Sequence, residues 1–431
     1  MHPKDYPSLI RASIASLALL AAGTLAAHAS DTSATPQHLD DAPDTTRSLR
    51  RLDAAFSGVV PWIQSLADEK TGGFFETTGL KQGREDRPYE ADIQSTYFAV
   101  LMLNDAGQLA TLPPARKDAL VHFFQSRQDP ETGYFSDPAY PEMKDNTRTM
   151  GRALLFSVNG LRHLGAKPLH PLPGERRPKD TKPATAGISL SFIRKTTAAA
   201  TASPTVPAHL ASADAFRKWL DERPWDNAWT ALDQLSSQAR LIRAQEPVLQ
   251  RALVDEALRN VRARQNPDTG LVKGGPMSVR LSGAFKFVSF CNNVGRPIPF
   301  AAQLRKSTVA WYRSQPVTDK IFFIRNAAEM LASLVRQTGH PLAPAELRDV
   351  IDTSLIELER YRCPDGAFSS FVGRYYISPN DLWLSPRRVA RAGPQSDMNG
   401  TANAWAMRKA LHRLAGSTPE YGLPPSNPSH P

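Results

Sequence analysis

A short turn sequence recurs four times along the chain, each time between two segments of helical character. The copies read DEKTGGFF (68–75), RQDPETGYF (127–135), RQNPDTGLV (264–272) and RCPDGAF (362–368). A unit that recurs at long spacing is typical of stacked architectures, because one unit alone cannot bury its own apolar face. The recurrence therefore predicts a chain built from repeated helical hairpins.

About twelve segments have the pattern of helices, and they fall into six antiparallel pairs. In the best first helix, Leu347, Val350, Ile351 and Leu358 recur at three- and four-residue steps, which predicts one buried and one solvated face. The second helices are apolar round most of their circumference, so they are predicted to form an inner ring. The predicted pairs are 47–67 with 90–107, 114–127 with 146–164, 212–222 with 225–244, 247–264 with 279–294, 300–314 with 320–338, and 344–361 with 398–414.

The N-terminus has the pattern of an export signal. Lys4 and Arg11 precede an apolar run, and Ala27-His28-Ala29 supplies small residues for cleavage. The run is short and interrupted, which disfavours a membrane anchor. We therefore predict a signal peptide at 1–29 and a periplasmic or secreted bacterial protein without stable membrane insertion.

The rest of the chain is predicted to be one toroid domain, 47–416, with a disordered leader at 30–46 and a disordered tail at 417–431. The segment 165–207 is rich in Pro, Thr, Ala and Lys and lacks helical periodicity, so it is predicted to be a flexible insertion. Cys291 and Cys363 are the only cysteines. Two buried thiols are favoured over a disulfide, although an oxidising compartment would permit one.

The segment YEADIQSTYFAVLMLNDAGQL (89–109), which follows TGGFFE, resembles the repeat of the α/α-toroid proteins. That group contains terpenoid cyclases, protein prenyltransferase β chains, polysaccharide lyases and glycoside hydrolases. The resemblance covers nearly the whole predicted mature chain and implies an all-α fold, an α/α toroid of about six helical hairpins. It says little about chemistry.

Two of these groups are disfavoured by missing motifs. The only Asp-rich cluster, Asp40-Asp41 with Asp44, precedes the predicted helices, whereas cyclases of this fold carry a D-x-D-D motif. Neither cysteine follows an Asp at the spacing that the prenyltransferase zinc site requires. The carbohydrate-active relatives remain, and predicted export favours them.

The net charge and the missing motifs indicate which ligands and cofactors to expect. The formal net charge of +10 suits an acidic partner such as a uronate-containing polysaccharide, and a nucleic acid is not expected. The sequence lacks a phosphate-binding Gly-rich loop, H-E-x-x-H and an EF-hand loop, so no cofactor and no metal site are predicted.

Polar and aromatic residues gather where the second helices begin, which is where toroid enzymes of this group hold the substrate. Capping alone explains any single Asp or Asn there. Trp225 and Trp229 bracket Asp226 at one helical turn, which fits either a sugar-binding subsite or core packing. The candidate substrate-binding residues are Trp225, Asp226, Trp229, Lys286, Arg296, Trp383 and Arg387.

A loop of some thirty residues before the last helix holds the strongest catalytic candidates. Elimination at a uronate requires a cation or amide to neutralise the carboxylate, a base for the C5 proton and an acid for the leaving oxygen. Tyr375 or Tyr376 is the candidate base, with Arg374 and Asn293 or Arg296 as neutralisers. Packing explains the tyrosine pair equally well, and no His lies at an obvious helix entrance.

Three alternatives to a polysaccharide lyase stay open. A glycoside hydrolase requires two carboxylates separated by about 5–9.5 Å, and the candidates are Asp92, Asp226, Glu329 and Asp397. A uronate epimerase would use the same proton chemistry as a lyase. A non-catalytic accessory protein of exopolysaccharide synthesis or export would keep the binding residues without an acid/base pair.

Overall fold

The structure, a computed structural model, describes residues 44–82, 90–138, 147–172, 208–243, 245–373 and 395–421. These residues form α-helices joined by short turns, with a single 3₁₀ turn at Ala208–Leu210. In chain order the α-helices are α1 (Asp44–Ala54), α2 (Val59–Ser65), α3 (Thr78–Lys81), α4 (Ile93–Asp105), α5 (Gln108–Thr111), α6 (Pro114–Gln125), α7 (Thr147–His163), α8 (Ala213–Asp221), α9 (Ala228–Arg243), α10 (Pro247–Arg264), α11 (Met277–Val294), α12 (Ala301–Arg313), α13 (Ile321–Thr338), α14 (Pro344–Glu359) and α15 (Met398–Leu414).

The helices form two concentric layers. The second helices of the six pairs, α4, α7, α9, α11, α13 and α15, make the inner layer, and α15 packs back against α4. In the outer layer α8 packs on α10, α12 packs on α14, and α14 packs on α1. The chain is therefore an all-α, α/α toroid of six helical hairpins, as the sequence predicts.

Polar contacts join the first and last hairpins in the outer layer as well. The hydroxyl of Ser48 donates to Asp352 Oδ1 at 2.6 Å, across 304 residues of sequence. The indole Nε1 of Trp62 donates to Asp365 Oδ2 at 3.2 Å. We call this junction of the first and last hairpins the seam.

The four recurrent turns are tight hairpins, each closed by one β-bridge. The bridged pairs are Ala67 with Phe74, Gln128 with Phe135, Gln265 with Val272, and Arg362 with Phe368. In each turn a glycine takes a positive φ, between 71° and 99°, a conformation that an L side chain strains. The repeated T-G and D-G pairs of the sequence are thus explained by backbone geometry.

Each turn also caps an inner helix of the preceding hairpin. The residue two places after the bridged apolar residue accepts a hydrogen bond from the first N–H of that helix, where no intrahelical partner exists. The bonds run from Ile93 to Asp137 Oδ2 at 3.1 Å, from Ala228 to the Gly274 carbonyl at 3.3 Å, from Ile321 to the Ser370 carbonyl at 3.2 Å, and from Met398 to the Glu76 carbonyl at 2.9 Å. Because Glu76 of the first hairpin caps α15 of the last, the pattern links the two ends of the chain of hairpins.

Element boundaries differ from the predicted ones at the N-terminal end of the toroid. The first helix begins at Asp44 and breaks after Ala54, so that α1 and α2 replace a single helix. At the break, a Cβ on Gly58 would lie 2.7 Å from the carbonyl oxygen of Gly366 in the fourth turn. The close approach of these two backbones leaves no room for a side chain at position 58.

The first residues of the predicted insertion contact the second turn. Gln128 exchanges two hydrogen bonds with the backbone of His170, at 2.8 and 2.9 Å. Residues 173–207 and the predicted signal peptide lie outside the described residues. Within the described residues no helix combines the length and apolarity needed to cross a membrane.

The two cysteines confirm the favoured prediction. Cys291 and Cys363 are both buried free thiols. Burial, and then the negative charge of Asp365, raise the pKa of Cys363 to about 11. Both therefore act as small apolar core residues.

Candidate functional site

Aromatic side chains meet where α9 and α13 begin. The ring of Trp229 lies 5.0 Å from that of Phe322 and 6.2 Å from that of Phe323. α11 lies between α9 and α13 in the inner layer, so this contact joins two inner helices that are not sequential neighbours. It places the three rings at the mouth of the toroid, at the N-terminal ends of the inner helices.

One cation lies beside two of these rings, and a second cation of α13 lies beside a ring of α11. Lys320 Nζ is 5.9 Å from the ring centroid of Phe322 and 5.8 Å from that of Phe323. The guanidinium of Arg325 lies 5.2 Å from the ring centroid of Phe285 on α11. Both arrangements are within the range of cation–π attraction. We call Trp229, Phe285, Phe322, Phe323, Lys320 and Arg325 the mouth cluster.

A carboxylate fixes Arg325. Its Nη2 lies 2.7 Å from Glu329 Oε2, one helical turn along α13, and its Nη1 donates to Asn326 Oδ1 at 2.9 Å. Glu329 is 5% exposed and also lies 4.0 Å from Arg413 of α15. Nε of Arg325 is buried and has no hydrogen-bond partner among the described residues. The guanidinium is thus held in one place while one donor stays unused.

Ion pairs continue along the inner helices. Lys286 Nζ, a predicted substrate contact, lies 2.7 Å from Asp233 Oδ1 of α9, and both side chains are partly exposed. On the opposite side of the ring, Lys409 of α15 lies 2.7 Å from Asp105 of α4. Charged pairs therefore join neighbouring inner helices on two sides of the ring.

The two predicted tryptophans have separate surroundings. Trp225 Nε1 donates to the Leu220 carbonyl at 2.8 Å, and Arg264 of α10 stacks 4.7 Å over its ring, so it packs against outer-layer residues. Asp226 is exposed. Trp229 alone reaches the mouth cluster, and its buried Nε1 has no hydrogen-bond partner among the described residues.

Asn293 and Arg296 lie at the C-terminal end of α11, opposite the mouth. Asn293 Nδ2 donates to the Ser289 carbonyl at 2.8 Å. Arg296 pairs with Asp255 and lines a surface cavity of about 650 Å³ together with Phe300. The structure therefore separates both residues from Trp229 and Arg325.

Asp92 and Asp397 serve as helix N-caps in equivalent positions. Asp92 Oδ1 accepts from Ser95 N–H at 2.8 Å, and Asp397 Oδ1 accepts from Gly400 N–H at 2.6 Å. Asp397 also accepts from the N–H and hydroxyl of Ser370. Both carboxyls are almost fully buried, and burial raises the pKa of Asp397 to about 7. Capping accounts for both residues, as the simpler interpretation of the sequence has it.

Several predicted residues lie outside the described residues: Arg374, Tyr375, Tyr376, Trp383 and Arg387. The mouth cluster, in turn, includes residues that sequence reasoning passed over, namely Phe285, Lys320, Phe322 and Phe323. A usable signal was present, because K-I-F-F-I-R-N places two aromatic residues and two cations at the start of an inner helix. In the described part of the chain no group of three or more His, Cys, Asp or Glu side chains is arranged to hold a metal ion.

Comparison with known proteins finds likeness in structure only. The chain matches two structures of the type II terpene cyclase MstE from Scytonema, one in complex with merosterolic acid A and one with geranylgeranyl dihydroxybenzoate. Each is 12% identical and covers 86% of this chain and 99% of the solved chain, with TM-scores of 0.38 and 0.39. No protein-family model and no curated protein matches the chain.

Proposed function

We propose that this protein is an exported enzyme that binds a uronate-containing polysaccharide at the mouth of the toroid and cleaves it by β-elimination. The observation that carries the proposal is the mouth cluster, in which aromatic faces and two cations lie on three successive inner helices, most of them where α9 and α13 begin. Aromatic faces stack on sugar rings, and nearby cations favour a sugar that carries a carboxylate. The net charge of +10 favours the same class of substrate.

Arg325 is the proposed neutraliser of the uronate carboxylate. Its position is fixed by Glu329 and Asn326, at 2.7 and 2.9 Å, so little reorganisation accompanies binding. A fixed cation lowers the barrier to carbanion formation most effectively in a site that excludes water. This role replaces that predicted for Asn293 and Arg296, whose positions at the far end of α11 do not suit it.

The elimination then requires a base and an acid. The base takes the C5 proton, the released electron pair forms the C4–C5 double bond, the C4–O bond breaks, and the leaving oxygen takes a proton. Burial raises the pKa of Tyr97 to about 12 and raises the pKa of Tyr312 and of Tyr361 as well. Buried phenols of this kind are unsuited to the task, and Tyr375 and Tyr376 stay the proposed base and acid.

The test is the ultraviolet absorbance of an unsaturated uronate during incubation with a panel of acidic polysaccharides. We expect a rise with the wild-type protein and a loss of roughly 100-fold or more in Arg325→Ala. Arg313→Ala is the matched control, because Arg313 pairs with Asp349 on the outer surface and should leave the rate unchanged.

Three results would overturn elimination at this site. Full activity in Arg325→Ala would remove the mouth cluster from the chemistry. New reducing ends without absorbance would indicate hydrolysis. Retention on an acidic polysaccharide with neither signal would indicate a non-catalytic binding protein.

A further inference from the structure

The seam contains a buried carboxyl whose surroundings differ from those of its counterpart in the next hairpin. Glu76 and Asp137 occupy the same position after their turns, and each caps an inner helix. Asp137 has a buried cation, because Arg127 Nε lies 2.9 Å from its Oδ1. The β-bridges align Leu66 with Arg127, so Glu76, at 1% exposure, has no guanidinium from that position.

Hydrogen-bond counting locates a proton at Glu76 or its neighbour. The hydroxyl of Ser95 lies 2.5 Å from Glu76 Oε2 and 2.6 Å from Asp92 Oδ2. A serine hydroxyl has one proton to donate and otherwise accepts. If both carboxyls were ionised, one of these two short contacts would join two acceptors. Both contacts are satisfied when one carboxyl is protonated and donates to Ser95.

The groups around the two carboxyls favour Glu76 as the protonated one. Asp92 caps α4, where the helix dipole favours a negative charge. Glu76 Oε1 accepts a single backbone bond, from Asn399 at 3.0 Å. Burial raises the pKa of Glu76 well above its usual range, and the charges of Asp92 and Asp397 raise that pKa further.

The other charged groups on the adjacent elements do not change the assignment of the proton to Glu76. The fourth turn contributes Asp365, a third acid, which accepts from Ser396 at 2.5 Å. The second turn contributes the pair of Asp137 and Arg127, whose guanidinium also donates to the Phe123 carbonyl at 2.9 Å. The Arg127 guanidinium is thus already engaged by Asp137 and the Phe123 carbonyl.

We propose that Glu76 is a proton-operated latch that closes the ring. In the protonated form Glu76 donates to Ser95, Ser95 donates to Asp92 on α4, and the other Glu76 oxygen accepts from α15. Loss of the proton leaves a third negative charge beside Asp92 and Asp397 and breaks the chain of bonds. The seam then loosens, while the other turns keep their caps.

The direction of the pH dependence follows from linkage. A carboxyl whose pKa is raised on folding contributes stability that is fully present below its unfolded pKa, about 4.3. That contribution is lost as the pH rises towards the folded pKa. The latch therefore predicts a protein that is most stable in mild acid and weakens towards neutral and alkaline pH.

The experiment compares thermal unfolding of the wild type and variants between about pH 5 and pH 9. Glu76→Gln reproduces the protonated side chain, since its amide donates where the acid proton does and its carbonyl accepts from Asn399. We expect the melting temperature of the wild type to fall by several degrees across this range and that of Glu76→Gln to fall by less, the remaining slope coming from Asp397, whose pKa burial also raises. Glu256→Gln removes a buried carboxylate of the outer layer and should shift the melting temperature without changing its slope with pH.

Two outcomes would overturn the latch. One is an equal slope in Glu76→Gln and the wild type. The other is a slope flattened by Asp92→Asn and not by Glu76→Gln, which would place the proton on Asp92. Amide exchange at a fixed alkaline pH gives a local readout: Glu76→Gln should slow exchange at Met398 and Asn399 and leave that at Ile321, which Ser370 caps, unchanged. If Glu76→Gln changed the exchange rate equally at all three amides, the effect would not be specific to the seam.

Discussion

At the scale of single residues, Asp53 is the centre of a buried cluster of ionisable side chains. Arg408 Nε lies 2.6 Å from Asp53 Oδ1 and His412 Nε2 lies 2.9 Å from the same oxygen. Burial alone would raise the pKa of Asp53, but the His412 hydrogen bond and the charge of Arg408 outweigh it and lower that pKa. The cluster joins α1 to α15, so it belongs to the seam.

Removing this carboxylate should be severely destabilising. Asp53→Asn leaves the guanidinium of Arg408, whose side chain is 2% exposed, without a counter-charge. We expect a loss of about 3–5 kcal/mol in the free energy of unfolding, measured by urea denaturation. Asp349→Asn breaks an exposed pair with Arg313 and should cost less than about 1 kcal/mol. Equal losses in the two variants would contradict this account.

Residue-level prediction from sequence succeeded where a local rule applies and failed where partners come from distant hairpins. Asp92 and Asp397 precede helices, so capping is readable from neighbouring residues alone. Trp225 and Trp229 are close in sequence, yet one packs outward beneath Arg264 and the other inward against Phe322. Which of two tryptophans reaches the mouth depends on the order of helices around the ring, and a one-dimensional pattern does not contain that order.

At the scale of elements, the recurrent turns require glycine at a defined position. Gly72 has φ of 80°, and a Cβ there would lie 2.6 Å from the Ala119 carbonyl oxygen. Gly107 has nearly the same φ, 72°, but no atom lies within 4 Å of its would-be Cβ. A comparison of substitutions at the two glycines therefore distinguishes the cost of backbone strain from the cost of steric overlap.

We expect Gly107→Ala to cost about 1 kcal/mol for the left-handed conformation alone. Gly72→Ala carries the same strain and must also displace the backbone of α6, so its cost should be clearly larger. Chemical denaturation of both variants measures the difference. Equal costs would show that the contact between the turn and α6 relaxes freely.

The sequence was a good guide to which elements form and a poorer guide to their ends. All six hairpins were predicted because apolar periodicity and the glycine turns are local signals. The break between α1 and α2 was missed, and Gly58 at this break lies against Gly366 of the last hairpin, far away in sequence. The contact forms only when the first and last hairpins meet, so the local periodicity of apolar residues does not predict it.

At the scale of the whole molecule, the fold is a ring held shut by groups of the first and last hairpins. Glu76 caps α15, Asp53 pairs with Arg408, and Ser48 bonds to Asp352. Such closure accompanies the packing of α15 on α4. The proposed function depends on this closure, because Trp229 and Arg325 come from different hairpins.

The proposed binding of a polyanion by this basic toroid should be sensitive to salt. The net charge of +10 predicts that affinity for an acidic polysaccharide falls as ionic strength rises, since the Debye length shortens from about 10 Å at 0.1 M to about 3 Å at 1 M salt. The stacking contribution of Trp229 should persist in high salt. Titrations at several salt concentrations measure both contributions, and salt-independent binding would contradict the assignment of an acidic ligand.

The measurement that tests the central claim most directly is the affinity of the wild type, Trp229→Ala and Trp225→Ala for a polyuronate and for a neutral polysaccharide. The account predicts binding to the polyuronate alone, a loss of about tenfold or more in Trp229→Ala, and little change in Trp225→Ala provided that variant stays folded. Equal affinity in the wild type and Trp229→Ala, or preference for the neutral polymer, would contradict a uronate-binding mouth.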